Sequence, residues 1–307
     1  MNRLEANISL LIITFLASIH YVFLAGVPDS VSHFAFLCVT NFVGFAILLA
    51  FFFGELFRLD VQQVLQSLIL SSELVAFNFL MLLGVSGSSS TVTAAVLSSY
   101  FVFVAAFSAL KARKFPDAGT FTGVLMVLSG LFLITEAYKG GSVDGGIIYL
   151  VLADIVFALY VITTGAYASS SNPAILAMGQ TFFCSIFSLL LWTWQVIFDG
   201  GTFALPSDGI FWTSVIYISL FMRGLFTIIQ IYAQRYISPL NTSLIFSTET
   251  IMTMAASPIL AEFLGTKPEI ITLPKVIGGI VMVIGILIAE PEVLAALRRI
   301  LAHVKQP

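Results

Sequence analysis

Charge is what this sequence has least of. Only 9% of its 307 residues are Asp, Glu, Lys or Arg, against about 25% in an ordinary soluble domain. With 59% apolar residues and a mean hydropathy of +1.05, there is too little polar side chain to cover a soluble surface. The net charge of −3 leaves no basic footprint for nucleic acid. Two cysteines, Cys38 and Cys184, lie far apart in apolar stretches. They read as buried thiols, not as a disulfide framework or a zinc site. Three histidines spaced too widely for a metal exclude a recognisable metal centre, so no cofactor is expected. There is no Gly-x-x-x-x-Gly-Lys loop, no His-Glu-x-x-His and no Gly-x-Ser-x-Gly. The chain therefore carries no phosphate loop for ATP hydrolysis and no recognisable hydrolase motif, and is read as a non-enzyme.

What is present is long apolar runs. A helix needs about 20 apolar residues to cross a hydrocarbon core of ~30 Å. Ten windows qualify: 6–27, 31–53, 62–83, 91–110, 117–136, 146–166, 173–197, 210–232, 239–260 and 270–289. Turn chemistry separates them, as at Gly26-Val27-Pro28-Asp29, Lys114-Phe115-Pro116-Asp117 and Thr266-Lys267-Pro268. The first window has no small-residue cleavage site after it and nine more windows follow, so it reads as a retained span. Val293–Lys305, with Arg298, Arg299 and Lys305, is too short and too charged to span and reads as an amphipathic basic tail on the inner surface.

Orientation follows from Lys and Arg. With the N-terminus inside, Arg3, Arg58, Lys111, Arg113, Lys114, Arg235, Arg298, Arg299 and Lys305 are cytoplasmic, and Lys139, Lys267 and Lys275 are outside. Nine against three predicts both termini in the cytoplasm. The expected location, as a multi-pass protein, is the cell membrane, the cytoplasmic (inner) membrane of a prokaryote.

The chain also repeats itself. Gly123 and Gly130 in the fifth window recur as Gly278 and Gly285 in the tenth, and the third and fourth windows align with the eighth and ninth at an offset near 150. The expected architecture is all-α and integral to the membrane: ten transmembrane helices in two five-helix repeats. The repeats span residues 1–140 and 141–290, with the tail at 291–307. Because five is odd, the second repeat enters the membrane inverted, an arrangement that puts a substrate site near the midplane. Glycines in apolar helices also serve close packing alone, as in Gly119-x-x-x-Gly123.

These features resemble the EamA-type members of the drug/metabolite transporter superfamily. The similarity is clearest over Tyr217–Ala289, in Gln234-Arg235-Tyr236-Ile237-Ser238-Pro239, Glu249-Thr250, Glu262 and Gly278…Gly285, and weaker over Leu83–Thr135. The chain departs from the pattern at Tyr100 and Thr250, where prolines usually stand, and at Lys111-Ala112-Arg113 in place of Gly-Glu-Arg. The resemblance implies export of a metabolite or amino acid, with proton coupling as an option.

Ionisable residues inside spans are costly unless paired or lining water, so each is a functional candidate. Glu73, Asp154, Arg223 and Glu249 stand out. Glu73 and Arg223 are 150 positions apart, equivalent points of the repeat, and are expected to pair, statically or in alternation. Arg223, Thr227, Gln230 and Gln234 form one polar face, and Thr242, Glu249, Thr253 and Ser257 another. Gln62, Gln66 and Glu73 share a register on the third helix, with Asn78 on a neighbouring face.

The candidate substrate-binding residues are Glu249, Glu73, Arg223, Gln230, Asn78, Tyr100, Tyr160, Ser18 and Tyr21. Glu249, Asp154 and His20 are candidates for carrying a proton. Asp154 is expected to sit in the outer half of the cavity or to bond a hydroxyl such as that of Thr163 or Ser18. Each also has a plainer reading as a packing or hydrogen-bonding residue. Three deep acids against one deep base suit a zwitterion with an accessible ammonium, or an organic cation, and argue against sugar phosphates.

The expected function is secondary transport, in the direction of export, of a small polar metabolite such as an amino acid by alternating access through a central cavity. The expected partners are that small molecule, the bilayer and protons, with the chain as monomer or homodimer. An organic cation or drug exporter of the same fold is the alternative within transport. A membrane sensor or assembly protein that moves no solute is the alternative outside it.

Overall fold

The computed structural model describes residues 1–25, 27, 31–85, 90–113, 115, 117–134, 136, 138, 145–263 and 270–289. The basic tail Val293–Lys305 lies outside them, as do the side chains of Tyr21, Ser257 and Glu262. Among the described residues the chain is helical, with no strand.

The helices are α1 (Arg3–Ala25), α2 (His33–Phe52), α3 (Val61–Val85), α4 (Ser90–Leu97), α5 (Tyr100–Ala112), α6 (Ala118–Ile134) and α7 (Gly145–Ala168). Then come α8 (Pro173–Phe198), α9 (Gly209–Tyr217), α10 (Thr227–Ala233), α11 (Pro239–Ser247), α12 (Glu249–Phe263) and α13 (Leu273–Ala289). A 3-10 turn, Phe53–Arg58, follows α2. A π-helical segment, Ile218–Phe226, joins α9 to α10, so Gly209–Ala233 runs as one helix. Among the described residues, six helices are long and apolar enough to cross a membrane, and three shorter apolar helices accompany them.

The helix starts are written locally. Asn172 and Ser238 each precede a proline, and their side chains accept from Ala174 N and Asn241 N at 3.0 and 3.2 Å. That is the expected cap followed by proline at the first helical position. Ser32 caps α2 in the same way, accepting from Ala35 N.

Two windows expected to be continuous are broken. The fourth is interrupted at Ser98-Ser99 and the ninth at Thr248. Neither break contains glycine or proline. Ser99 N bonds Val96 O, and Thr248 N bonds Ile245 O, so each chain tightens to three-residue spacing there. The Thr248 hydroxyl also donates back to Ile245 O at 2.7 Å, the competition with the helix ladder that Ser and Thr offer. Ser98 and Thr248 stand 150 positions apart.

The two breaks meet. Ser247 Oγ donates to Ser98 O at 3.0 Å, and Thr250 Oγ1 donates to Ser98 Oγ at 2.8 Å. α4 packs on α12 and α5 on α11. Irregular backbone away from water is tolerable because other protein groups take up its freed hydrogen bonds.

Among the described residues the most extensive helix packing is that of α6 with α13. Gly123 lies on the backbone of Gly285, and Gly130 on that of Gly278, where any Cβ would collide. The interior is rich in polar groups, including Thr14, Asn41, Asn78, Asp154, Gln180, Ser219 and Gln230. The exposed flanks carry Phe, Leu and Ile. This arrangement suits a chain whose solvent is lipid.

Candidate functional site

A cavity of about 80 Å³ lies among the helices. Its walls come from α1 (Ala17, His20), α3 (Leu74, Phe77, Asn78, Met81), Leu97 and Tyr100 at the first break, and α7 (Phe157, Tyr160). The π segment and α10 add Met222, Arg223, Phe226, Thr227 and Gln230, and Phe246 and Glu249 close it beside the second break. This volume holds a few waters.

Arg223 is aimed by the π segment. The extra residue per turn leaves Thr227 Oγ1 to reach Met222 O, five residues back, at 3.2 Å. Such segments recur at functional sites because they re-register a side chain within a helix. Gly44 on α2 makes room, since any Cβ there would overlap Arg223 Cβ. Arg223 Nη2 donates to Asn78 Oδ1 at 3.2 Å, while its Nε is buried without a partner. Asn78 is held in turn, its Nδ2 donating to Leu74 O at 2.6 Å.

Glu249 begins α12, just past the break at Thr248. Helix N-termini favour a nearby negative charge. Among the described residues its carboxylate has neither a hydrogen bond nor an ion pair, and it forms none with Arg223. The cavity thus presents one acid and one base that do not neutralise each other.

The remaining wall is aromatic. Phe157 stacks between Phe77, at 4.6 Å between ring centroids, and Tyr160, at 5.4 Å, with Tyr100 edge-on at 4.8 Å. Phe226 and Phe246 meet at 4.9 Å. Tyr160 exchanges hydrogen bonds with Gln180, whose Nε2 donates to the phenol oxygen at 3.0 Å.

Of the residues named from sequence, Glu249, Arg223, Gln230, Asn78, Tyr100, Tyr160 and His20 line the cavity. Glu73, Asp154 and Ser18 do not. Glu73 makes no ion pair with Arg223. Its Oε1 accepts from Thr163 Oγ1 at 3.0 Å, across the α3–α7 contact. Arg223 is turned instead toward Asn78.

Asp154 bonds neither Thr163 nor Ser18. Its Oδ2 accepts from Ser99 Oγ at 2.6 Å, which ties it to the first break. Ser18 Oγ donates to Phe15 O at 2.6 Å, and its carbonyl accepts from Thr253 Oγ1 at 3.1 Å. Tyr21 has its side chain outside the described residues. The aromatic wall of Phe77, Phe157, Phe226 and Phe246 was not singled out from sequence, where 29 phenylalanines make any one of them unremarkable.

The model of the EamA-like transporter family matches residues 144–289. The second half of this chain belongs to that family. A solved structure described as "Crystal structure of protein" is similar over 94% of this chain and 98% of its own, with a TM-score of 0.67 and 17% identity. At that identity the likeness is one of fold alone. No curated protein sequence matches the chain. The EamA match over that half, with the long apolar helices, points to a multi-pass membrane protein of a transporter family.

Proposed function

We propose that the chain is a secondary transporter of a small zwitterionic metabolite, of the amino-acid kind, working by alternating access. The observation that carries the reading is the unneutralised pair in the cavity: Glu249 without a partner, and Arg223 with its Nε unpaired. A free ammonium would dock on Glu249 and a carboxylate on Arg223, which Asn78 holds in place. Desolvated charge-assisted hydrogen bonds of this kind are the strong ones.

The architecture in this reading is ten spans, with α4–α5, α9–α10 and α11–α12 each making one, in two inverted five-helix halves. Both termini are cytoplasmic and the membrane is a prokaryotic cytoplasmic one. The reciprocal glycine contacts of α6 with α13, and the meeting of two breaks 150 positions apart, support it. Breaks of this sort at the midplane are where transporters bind substrate.

A second reading within transport, an organic cation exporter, is favoured by the aromatic wall beside Glu249, which would add cation–π contacts. Purified protein in liposomes separates the two. Uptake of amino acids and of organic amines is measured with and without a pH gradient in the parent, Glu249→Gln and Arg223→Gln. A zwitterion carrier loses uptake in both variants. A cation carrier loses it in Glu249→Gln alone. If no solute moves with the parent protein under any gradient, the transport reading fails and a non-transporting membrane component replaces it. Dependence on the pH gradient assigns proton coupling, for which Glu249, His20 and Asp154 are the candidate carriers.

A further inference from the structure

One end of the bundle carries residues 53–60, 169–172 and 234–238. Hydrogen bonds knot it together. Arg235 caps the end of α7, its Nε donating to Ala168 O at 2.8 Å and its Nη2 to Ser171 O. The anchored Ser171-Asn172 pair then reaches across to the first half at two points. Asn172 Nδ2 donates to Glu55 Oε2 at 2.7 Å, and Ser171 Oγ donates to Gln66 Oε1 at 2.6 Å. Arg58 Nη1 flanks Glu55 at 3.4 Å.

From this knot a line of polar groups leads inward. Ser71 Oγ donates to Gln180 O at 3.0 Å, Gln180 pairs with Tyr160 in the cavity wall, and Gln234 Nε2 donates to Val161 O at 3.2 Å. Ser67 Oγ and Gln234 Oε1 are buried on the same stretch without partners. Buried polar atoms left unpaired are costly unless another conformation brings them water or ligand. The knot lies eight residues along α3 from Leu74 to Gln66, and eight along α7 from Tyr160 to Ala168, or ~12 Å from the cavity.

The opposite end differs. Phe23, Val27, Val31, Phe36, Phe211, Val215 and Ile218 pack there as one apolar cluster. Ser214 and Tyr217 add hydrogen bonds to the backbone of α1. Opening that end would bring the cluster into water. The α3–α7 seam combines side-chain hydrogen bonds, which exchange for water at little net cost, with an apolar cluster that includes Leu70, Leu74, Ala158 and Val161. Beside the seam, α2 and α8 stay joined through apolar packing around Leu48 and Ile175.

We propose that the Glu55–Asn172 and Gln66–Ser171 contacts are a latch, and that their release opens the cavity along the α3–α7 seam to the end where they lie. The biological meaning rests on the transport reading, but the test reads access and needs no substrate. The cavity residue Ala17 is changed to Cys in a chain with Cys38→Ala and Cys184→Ala. Labelling by a membrane-impermeant maleimide is followed from each face of vesicles. Glu55→Ala with Gln66→Ala should raise labelling from the latch face by roughly tenfold, the size of a modest population shift, and leave the other face unchanged. Asp117→Ala, a cap lesion on α6, should change neither.

Asn172→Asp, which sets a like charge against Glu55, should raise labelling in the same one-sided way if the double variant does not fold. Unchanged labelling in the latch variants, an equal rise from both faces, or the same rise in Asp117→Ala overturns the latch. A one-sided rise in a protein that moves no solute would leave the latch standing and remove the transport reading instead.

Discussion

A Cβ placed on Gly130 would come within 2.5 Å of the Gly278 carbonyl oxygen, and a Cβ placed on Gly278 within 2.6 Å of the Gly130 carbonyl oxygen. The contact is reciprocal: each glycine meets the other's carbonyl oxygen. Backbone meets backbone, so no flexible side chain can yield. Gly130→Ala should therefore cost about 1–3 kcal/mol, the range for overpacking, read as a lower midpoint of thermal unfolding in detergent. Gly54→Ala, where a Cβ meets nothing within 4 Å, is the matched control and should stay near the parent value.

The second prediction concerns how Arg223 is seated. Gly44 faces the Cβ of Arg223, and a Cβ on Gly44 would also lie 3.4 Å from the Arg223 Cα and carbonyl carbon. Gly44→Ala must push the π segment away from α2. The 3.2 Å bond from Arg223 to Asn78 should then lengthen or break. The expected outcome is a loss of about 1–3 kcal/mol in stability, with weaker binding of carboxylate-bearing ligands. An alanine variant as stable as the parent, with the same ligand affinity, would contradict this seating.

The third prediction follows from Asp154. Its Oδ2 accepts from Ser99 Oγ, and its Oδ1 is buried without a partner. Ser99→Ala removes the one donor that the described residues supply. Leaving a buried carboxyl wholly unpaired costs on the order of 1–3 kcal/mol, more if it stays charged. Asp154→Asn in the Ser99→Ala background removes the charge and should recover part of the loss. The double-variant cycle in unfolding experiments measures the coupling directly. Additive losses would mean that the two groups do not depend on each other.

The positions of the helices are largely legible in the sequence. Asn172-Pro173 and Ser238-Pro239 announce helix starts, and the window edges fall within a few residues of the helices formed. Arg223, Glu249, Asn78 and Gln230 reach the cavity because a polar group in an apolar helix has few other places to go. Depth along a helix is readable from position, but direction around it is not. That is why Glu73 turned out to face Thr163 and Asp154 to face Ser99. The breaks at Ser98-Ser99 and Thr248 were not foreseen, because Ser and Thr are at home in membrane helices and neither break has a glycine or proline. The π segment had no signal either: one extra residue in a turn changes no composition, and its effect depends on Gly44, far away in sequence.

The last prediction is a pH dependence outside the spans. Asp117 caps α6, its Oδ1 accepting from Thr120 N at 3.0 Å and Gly119 N at 2.9 Å, and its Oδ2 from Thr120 Oγ1 at 2.9 Å. These donors, led by the Thr120 backbone N–H, hold its carboxyl below the ordinary value of 3.8. The folded state therefore releases this proton more readily than the unfolded chain. The resulting stability is fully present above the ordinary value and is lost as the pH falls through the lowered one. Asp117→Ala should cost about 0.5–2 kcal/mol near neutral pH, the usual cost of a lost cap. That difference from the parent should be flat down to about pH 5 and shrink below pH 4. Asp117→Asn, which caps without titrating, should keep most of the stability and lose this acid dependence. Unfolding midpoints of the three proteins across pH 3–7 would measure it, and a parent-to-alanine difference that did not narrow in acid would show that the cap works without its charge.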